Sequence, residues 1–330
     1  MQLLINTRGT GINVRNRCFQ ISKEGTQRTV SPTRLSSIAI GNACTISAQA
    51  ILLAVKNNIP LFFLNGNGNT EAQLWSPTLS NHTSIRRQQV YIAETTFATR
   101  KVLDWLILKV RFQIQLLQFL QNRLTAQQLK LESCINTLEN TIVQFNLHEN
   151  SLLSECDNSI MGMEGAASRI YFENLSNCVP EEYTFSGRSR MPATNHFNCL
   201  LNYYYGMLYG ITENALLSAG LDPNFGLLHA DDYDTPALSF DFIEAFRPWA
   251  DGCIMHLCLQ HELKPEYFDK KGNGYWLNSA GKKILIPIFN TFLQAKIKID
   301  NRLSTRFNTI YRMAQAFAAE LMERSKNKRK

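Results

Sequence analysis

The chain has 330 residues, of which 45% are hydrophobic and 18% charged, a balance that excludes wholesale disorder. Its length allows two domains with a sizeable core, and the net charge of +7 favours a polyanionic partner. Eight dispersed cysteines without a CxxC pair argue against a zinc site. No apolar run is long enough to span a bilayer and no secretory signal is found, so we expect a cytoplasmic protein with no membrane partner.

Short strands are predicted for the first part of the chain, where apolar and polar residues alternate between Gly, Asn and Ser breaks. One helix, capped by Thr45 or Ser47, precedes a short buried strand in the string IPLFFL, and the following NGNG predicts a tight turn. We therefore predict a β-rich domain over residues 1–76, without a cluster of reactive side chains, and a linker over residues 77–86.

Helical periodicity dominates the predicted second domain, residues 87–330, so the predicted fold class is α+β, a small N-terminal β-rich domain followed by a larger all-α domain. A first long helix is predicted from about Arg87 to Leu124 and a second from Ala126 to His148, with Leu129 in its apolar stripe. The closing helix is predicted to begin at Leu303. Basic side chains on the first helix either face phosphates or, in the favoured interpretation, form a solvated face, and they are Arg100, Lys101, Lys109 and Arg111.

Glu164 stands in the string MGMEGAAS, between Gly162 and Gly165. Small residues allow another backbone to come close, so this pattern predicts a tight site between helices into which Glu164 projects. A lone Glu on a helix is usually exposed, but an unpaired carboxylate in such an apolar, glycine-bounded surround would be costly to bury.

The segment 220–249 concentrates further candidate ligands. A turn-rich passage leads to His229 and an acidic run, and a helical pattern then places Asp241 and Glu244 on one face, with Arg247 three residues further. Carboxylates with one imidazole suit a hard divalent cation such as Mg²⁺ or Mn²⁺. On this segment alone, a core histidine beside a solvated acidic loop is an equally good interpretation.

Four strings occur in an order that resembles one known family, and they are MEGAASRIYF, NHFNCLLNYYYGMLYG, ALLSAGLDPNFGLLHA and ALSFDFIEAFRPW. Together they resemble Cas-one (Cas1), the CRISPR-associated integrase of spacer acquisition, over essentially the whole chain. The resemblance implies a helical domain that dimerises and a divalent-metal site made of a Glu, a His and an acidic residue. By position these are Glu164, His229 and Glu244. Asp241 matches a neighbouring acidic position, so either it or Glu244 is the third ligand, and we favour Glu244.

The activity that the resemblance implies is a Mg²⁺- or Mn²⁺-dependent DNA endonuclease and integrase of CRISPR adaptation, joining 3′-hydroxyl ends of spacer DNA to the repeat by transesterification. The implied partners are double-stranded DNA, a second copy of the chain and the small protein Cas-two (Cas2). Candidates for phosphate contacts are Arg169, Arg188, Arg190 and Arg247, and Arg247 is equally suited to pair with Asp241 or Glu244.

Two alternatives to this function remain open. One is a non-catalytic DNA-binding scaffold, and the other is a metal-dependent nuclease acting on branched DNA or RNA outside CRISPR immunity. The chain also departs from the family pattern at Ser168, where the family usually has alanine. This departure removes no proposed ligand.

Overall fold

The computed structural model describes residues 2–35, 37–57, 59–64, 70–74, 81–124, 127–229, 236–299 and 301–327. Backbone contacts divide the chain into two compact units. The first unit combines Met1–Gln88 with Glu213–Asp222 and Met313–Lys330, and the second combines Gln89–Thr212 with Pro223–Arg312. The division into a domain of residues 1–76 and a domain of residues 87–330 stays a prediction.

Two four-stranded sheets form most of the first unit. The strands of the first sheet, in spatial order, are β1 (Gln2–Ile5), β5 (Ser37–Gly41), β7 (Leu61–Leu64) and β8 (Thr70–Gln73). Those of the second are β4 (Thr26–Val30), β3 (Cys18–Lys23), β2 (Gly11–Arg15) and β6 (Thr45–Ile46). The first three strands of the first sheet run parallel, so their connections need crossovers, whereas β2, β3 and β4 form an antiparallel meander.

Helix α1 (Ala48–Lys56) begins where its sequence predicts, because the Ser47 hydroxyl accepts a hydrogen bond from the backbone N–H of Ala50. The inward side chains of the strands pack into one apolar core, represented by Ile12, Phe19 and Ile38. The predicted β-rich N-terminal region is therefore confirmed. The predicted NGNG turn lies outside the described residues.

The second unit is built mainly from helices. In chain order the helices of the remaining chain are α2 (Asn81–Ile92), α3 (Thr96–Gln121), α4 (Gln128–Asn146), α5 (Leu153–Ser176), α6 (His196–Ser218), α7 (Ala237–Ile243), α8 (Arg247–Leu259), α9 (Ser279–Gln294) and α10 (Arg306–Asn327). Two hairpins interrupt them, β9 (Phe268–Lys271) with β10 (Gly274–Leu277) and β11 (Lys296–Ile299) with β12 (Arg302–Thr305). The predicted α+β class is confirmed.

Helix α3 is central to the second unit because it packs against α4, α5, α7, α8 and the 3₁₀ turn Glu244–Phe246 between α7 and α8. Its apolar stripe is buried as predicted, for example at Leu106 and Leu117. The single helix predicted from Arg87 is nevertheless interrupted, because Thr95 adopts an extended backbone and its hydroxyl donates to the Ile92 carbonyl at the end of α2.

Three further expectations are corrected. Six of the ten residues of the predicted linker, 81–86, are helical, since α2 begins at Asn81, and linker residues 77–80 lie outside the described residues. Leu129 is exposed rather than part of the buried stripe of α4. The closing helix begins at Arg306, because residues 302–305 pair with β11 as a strand. Within the described part of the chain, none of the helices combines the length and apolar character that a bilayer crossing requires.

Candidate active site

A cavity of about 840 Å³ in the second unit brings the predicted site residues together. Helices α3 and α5, the loop around residues 186–190 and the segments 228–229 and 240–251 supply its walls. Its lining includes every residue that was predicted for the site. They are the ligands Glu164, His229 and Glu244, the neighbouring Asp241, and the arginines Arg169, Arg188, Arg190 and Arg247. Positions that are distant along the chain therefore share one site.

Two of the predicted ligands meet on a lysine that sequence reasoning placed in solvent. The Lys109 ammonium bonds to Oε1 of Glu164 and lies 2.6 Å from Oε2 of Glu244. Only 7% of the Lys109 side chain is exposed, so the predicted solvated face is wrong at this position. Burial acts to lower the pKa of Lys109, but the two carboxylates outweigh it and raise that pKa. The ammonium is therefore charged and shared between two anions.

Both oxygens of Glu244 are occupied. Arg247, one turn further along the chain, places Nε 2.6 Å from Oε1, while Lys109 takes Oε2. Burial acts to raise the pKa of Glu244, but Arg247 and Lys109 together lower it to about 2. Glu244 is therefore an anion throughout the neutral range, as a ligand for a hard cation must be.

Glu164 is held within its own helix as well as by Lys109. The Ser168 hydroxyl, one turn later on α5, donates to Oε1 of Glu164 at 2.7 Å. The position where the chain departs from the family pattern thus contacts a predicted ligand. The close backbone approach predicted at Gly162 and Gly165 is wrong, since a Cβ at either position would meet nothing within 4 Å.

His229 and Asp241 form the second half of the site. Nδ1 of His229 lies 2.6 Å from Oδ1 of Asp241, whose side chain is only 1% exposed. The same carboxylate accepts hydrogen bonds from the backbone N–H groups of Leu227, Leu228 and His229 at 2.6, 3.0 and 3.1 Å. Asp241 therefore fixes both the loop and the imidazole ring.

This hydrogen bonding also selects the histidine tautomer. An ionised carboxylate only accepts, so Nδ1 of His229 carries the proton and Nε2 keeps its lone pair when the ring is neutral. The hydrogen bond to Asp241 is the main cause that raises the pKa of His229. Asp241 thus binds His229, whereas Glu244 and Glu164 both bind the ammonium of Lys109.

The acidic run that follows His229 in the sequence contains Asp231, Asp232 and Asp234. These three residues lie outside the described residues.

The donor set suits a divalent ion, although the three ligands are not gathered around a single point. Glu164 and Glu244 present oxygens to one positive charge, and carboxylate oxygens are the donors that Mg²⁺ or Mn²⁺ prefers. Among the residues with described positions, no three His, Cys, Asp or Glu side chains are close enough to hold a metal together. His229 lines the same cavity, and the Lys109 ammonium lies between the two carboxylates.

A buried acid and two tyrosines support the arginines of the cavity. Asp251 accepts hydrogen bonds from the hydroxyls of Tyr205 at 2.7 Å and Tyr171 at 3.0 Å. The ring of Tyr205 in turn faces two guanidinium groups, with Cζ of Arg247 4.7 Å and Cζ of Arg188 5.3 Å from its centroid. These distances are typical of cation–π contacts, so Tyr205 orients both cations.

The four arginine candidates differ in how firmly other side chains hold their guanidinium groups. Arg188 is fixed, because its guanidinium donates to the side-chain oxygens of Asn198 and Asn202. Arg247 is committed to Glu244. Arg169 and Arg190 are exposed at the cavity, which suits them for contacts with an incoming anion.

Sequence reasoning missed Lys109, Tyr205 and Asp251 as site residues. A signal existed for Asp251, because it is the one acid in the otherwise apolar string PWADGCIM and is almost fully buried. Tyr205 belongs to the aromatic-rich string NYYYGMLYG, which is typical of a core helix, and it is indeed buried. Nothing in the sequence distinguished Lys109 from the other basic residues of its helix, so its burial could not be predicted.

Comparisons with known proteins identify relatives of the whole chain. A family model described as "CRISPR associated protein Cas1" matches residues 3–291. The chain is also similar to a CRISPR-associated endonuclease Cas1 of Archaeoglobus fulgidus, with 26% identity over 321 residues that cover 92% of this chain and 91% of the relative.

Solved structures share the fold. A casposase bound to an integration product superposes with a TM-score of 0.74 at 22% identity, covering 98% of this chain and 96% of the casposase chain. A chain of a partial Cas6-RT-Cas1–Cas2 complex gives a TM-score of 0.75 at 19% identity, with 98% and 96% covered. At these identities the likeness concerns the fold alone.

Proposed function

The chain belongs to the Cas1 family, and from this premise we propose that it is a divalent-metal-dependent DNA endonuclease and integrase of CRISPR adaptation. The observation that carries the proposal is the meeting of Glu164 and Glu244 on one cationic position, in a cavity that also holds His229. In a non-catalytic scaffold, two partly buried carboxylates aimed at a shared cation would bring a desolvation cost without a function.

The proposed cofactor is Mg²⁺ or Mn²⁺, held by Glu164, Glu244 and Nε2 of His229. When bound, such an ion supplies Lewis-acid and templating chemistry at a phosphodiester. Asp241 serves as the positioning residue, because it keeps the proton on Nδ1 of His229 and leaves Nε2 available. We favour Glu244 over Asp241 as the third ligand, since Glu244 meets Glu164 at Lys109, whereas Asp241 holds His229 and its loop through four hydrogen bonds.

The proposed reaction is a transesterification. The 3′-hydroxyl of incoming DNA attacks a phosphorus of the repeat, one P–O bond forms while another breaks, and the displaced strand leaves with its own 3′-hydroxyl. The exposed Arg169 and Arg190 bind the phosphates of the DNA, while Arg188 and Arg247, fixed against Tyr205, hold positive charge at the reacting group.

The proposed partners are double-stranded DNA, a second copy of the chain and Cas2, and the proposed location is the cytoplasm. The fold shared with a casposase bound to an integration product supports DNA, and the fold shared with a chain of a Cas1–Cas2 complex supports Cas2. The net charge of +7 suits a polyanion. Sedimentation analysis of the purified chain measures whether it is a dimer.

A strand-transfer assay with labelled 3′-hydroxyl DNA and a repeat-bearing plasmid tests the function. We expect Glu164→Ala and His229→Ala to reduce transfer by roughly 100-fold or more, since each removes a ligand, while duplex binding is retained. Glu132→Ala, an exposed position on α4 outside the cavity, is the matched control and keeps wild-type transfer. EDTA stops the reaction.

Wild-type transfer by both cavity variants would refute the catalytic assignment. Cleavage of branched DNA or RNA by the wild-type chain, with no joining of 3′-hydroxyl ends, would instead favour a nuclease outside CRISPR immunity.

A further inference from the structure

Lys109 has no role in the proposed reaction, yet it is the best-placed cation in the cavity. Its ammonium contacts Glu164 and Glu244 at the same time, and it reaches them from α3 across 55 and 135 positions of sequence. A lysine that is buried among anions in this way is held by them, because an unpaired buried charge is strongly unfavourable.

The charges around Lys109 already balance. Two carboxylates, Glu164 and Glu244, face two cations, Lys109 and Arg247. A divalent ion that joined this group with every cation in place would set like charges a few ångströms apart in a partly dehydrated cavity, where their repulsion is poorly screened. Arg247 forms an ion pair with the other oxygen of Glu244 and contacts the ring of Tyr205, so Lys109 is the cation that can be displaced.

We propose that Lys109 is an internal counter-cation that occupies the divalent-metal position, and that metal and the Lys109 ammonium bind Glu164 and Glu244 in competition. This inference rests on the proposed function, because it takes the metal site as given. In the metal-free chain the ammonium keeps the two carboxylates together and neutralised. On metal binding it swings on its four-carbon stem into the cavity, whose volume of about 840 Å³ leaves room for it.

A calorimetric titration of the full-length chain with Mn²⁺ measures this competition without relying on activity. We expect Lys109→Met to bind Mn²⁺ at least tenfold more tightly than wild type, because the competing charge is gone. Lys109→Arg keeps that charge and should stay within about threefold of wild type. Lys101→Met, on the same helix but paired with Asp104 outside the cavity, should not change the affinity.

Thermal unfolding gives a second signature. In EDTA the melting temperature of Lys109→Met should fall below that of wild type, because Glu164 then loses its cation and Glu244 keeps Arg247 alone. Added Mn²⁺ should raise the melting temperature of Lys109→Met by more than it raises that of wild type, since the metal replaces the missing charge.

Amine labelling of the wild-type chain separates true displacement from a simple change in electrostatics, and it does not require any variant to fold. Acetic anhydride labelling of Lys109, read by mass spectrometry relative to Lys101, should rise several-fold when Mn²⁺ replaces EDTA. An unchanged ratio in a chain that binds Mn²⁺ would overturn the inference, as would Mn²⁺ binding by Lys109→Met that is equal to or weaker than wild type. If neither wild type nor Lys109→Met binds Mn²⁺, the proposed metal site itself is wrong, and the inference with it.

Discussion

The substitution Asp241→Asn changes one oxygen of a buried, fully bonded carboxylate into an amide nitrogen. In the wild-type chain, Oδ2 accepts from the backbone N–H groups of Leu227 and Leu228, and Oδ1 accepts from the N–H of His229 and from its Nδ1. An asparagine has one acceptor oxygen and one donor group. Its best orientation keeps the oxygen on Leu227 and Leu228 and turns the NH₂ toward His229.

Two consequences follow from that orientation. The backbone N–H of His229 loses its acceptor, which costs about 1–3 kcal/mol of unfolding free energy. Nδ1 of His229 must now accept from the amide, so the ring proton moves to Nε2 and the lone pair at that atom disappears. Because a histidine held in the wrong tautomer cannot use its Nε2 lone pair, strand transfer should fall by roughly 10²–10⁴-fold.

Two measurements check this prediction. Urea denaturation gives the change in unfolding free energy, and ¹⁵N spectroscopy of labelled histidine reports which ring nitrogen of His229 carries the proton. Asp251→Asn is the matched control for the tautomer, because it makes the same change at an equally buried aspartate that contacts tyrosines instead of His229. An Asp241→Asn chain with the proton still on Nδ1, and with unreduced strand transfer, would refute the reasoning.

Two further predictions concern the wall of the cavity. Burial raises the pKa of Asp251 from its ordinary 3.8 to about 6, so the folded chain binds this proton more tightly than the unfolded chain, and the resulting stability is lost as pH rises through about 6. Asp251→Asn should therefore gain about 1 kcal/mol relative to wild type between pH 5 and pH 7.5 in urea denaturation, and a difference that does not depend on pH would contradict this. Arg169→Ala should weaken duplex binding and lower the slope of log affinity against log salt by about 1, while leaving unfolding free energy within about 0.5 kcal/mol. An unchanged salt slope would exclude a phosphate contact.

Local patterns were sufficient to predict much of the fold. Alternation identified the strands of the first unit, Ser47 identified the start of α1, and the stripe through Leu106 and Leu117 identified the buried face of α3. These features depend on neighbours within a few residues, which the sequence displays directly. The break at Thr95 was missed because its cause is a single side-chain hydrogen bond, which does not disturb the apolar period.

The site was predictable in part, for a related reason. Residue types and a family resemblance were sufficient to gather Glu164, His229, Asp241 and Glu244, and all four line one cavity. The burial of Lys109 was not predictable from its helix, because its partners are supplied by α5 and by the turn after α7. The different roles of Asp241 and Glu244 were likewise not predictable from the sequence. Both residues lie in one short segment, and only tertiary contacts show that Asp241 binds His229 and Glu244 binds Lys109.

The most direct test of the central claim is anomalous diffraction from crystals of the chain grown with Mn²⁺. The account predicts one anomalous peak within about 2.3 Å of carboxylate oxygens of both Glu164 and Glu244, with Nε2 of His229 as a further ligand. Two results at a saturating concentration of Mn²⁺ would contradict the account. One is the absence of an anomalous peak between those two carboxylates, and the other is a peak coordinated by Asp241 with His229 turned away.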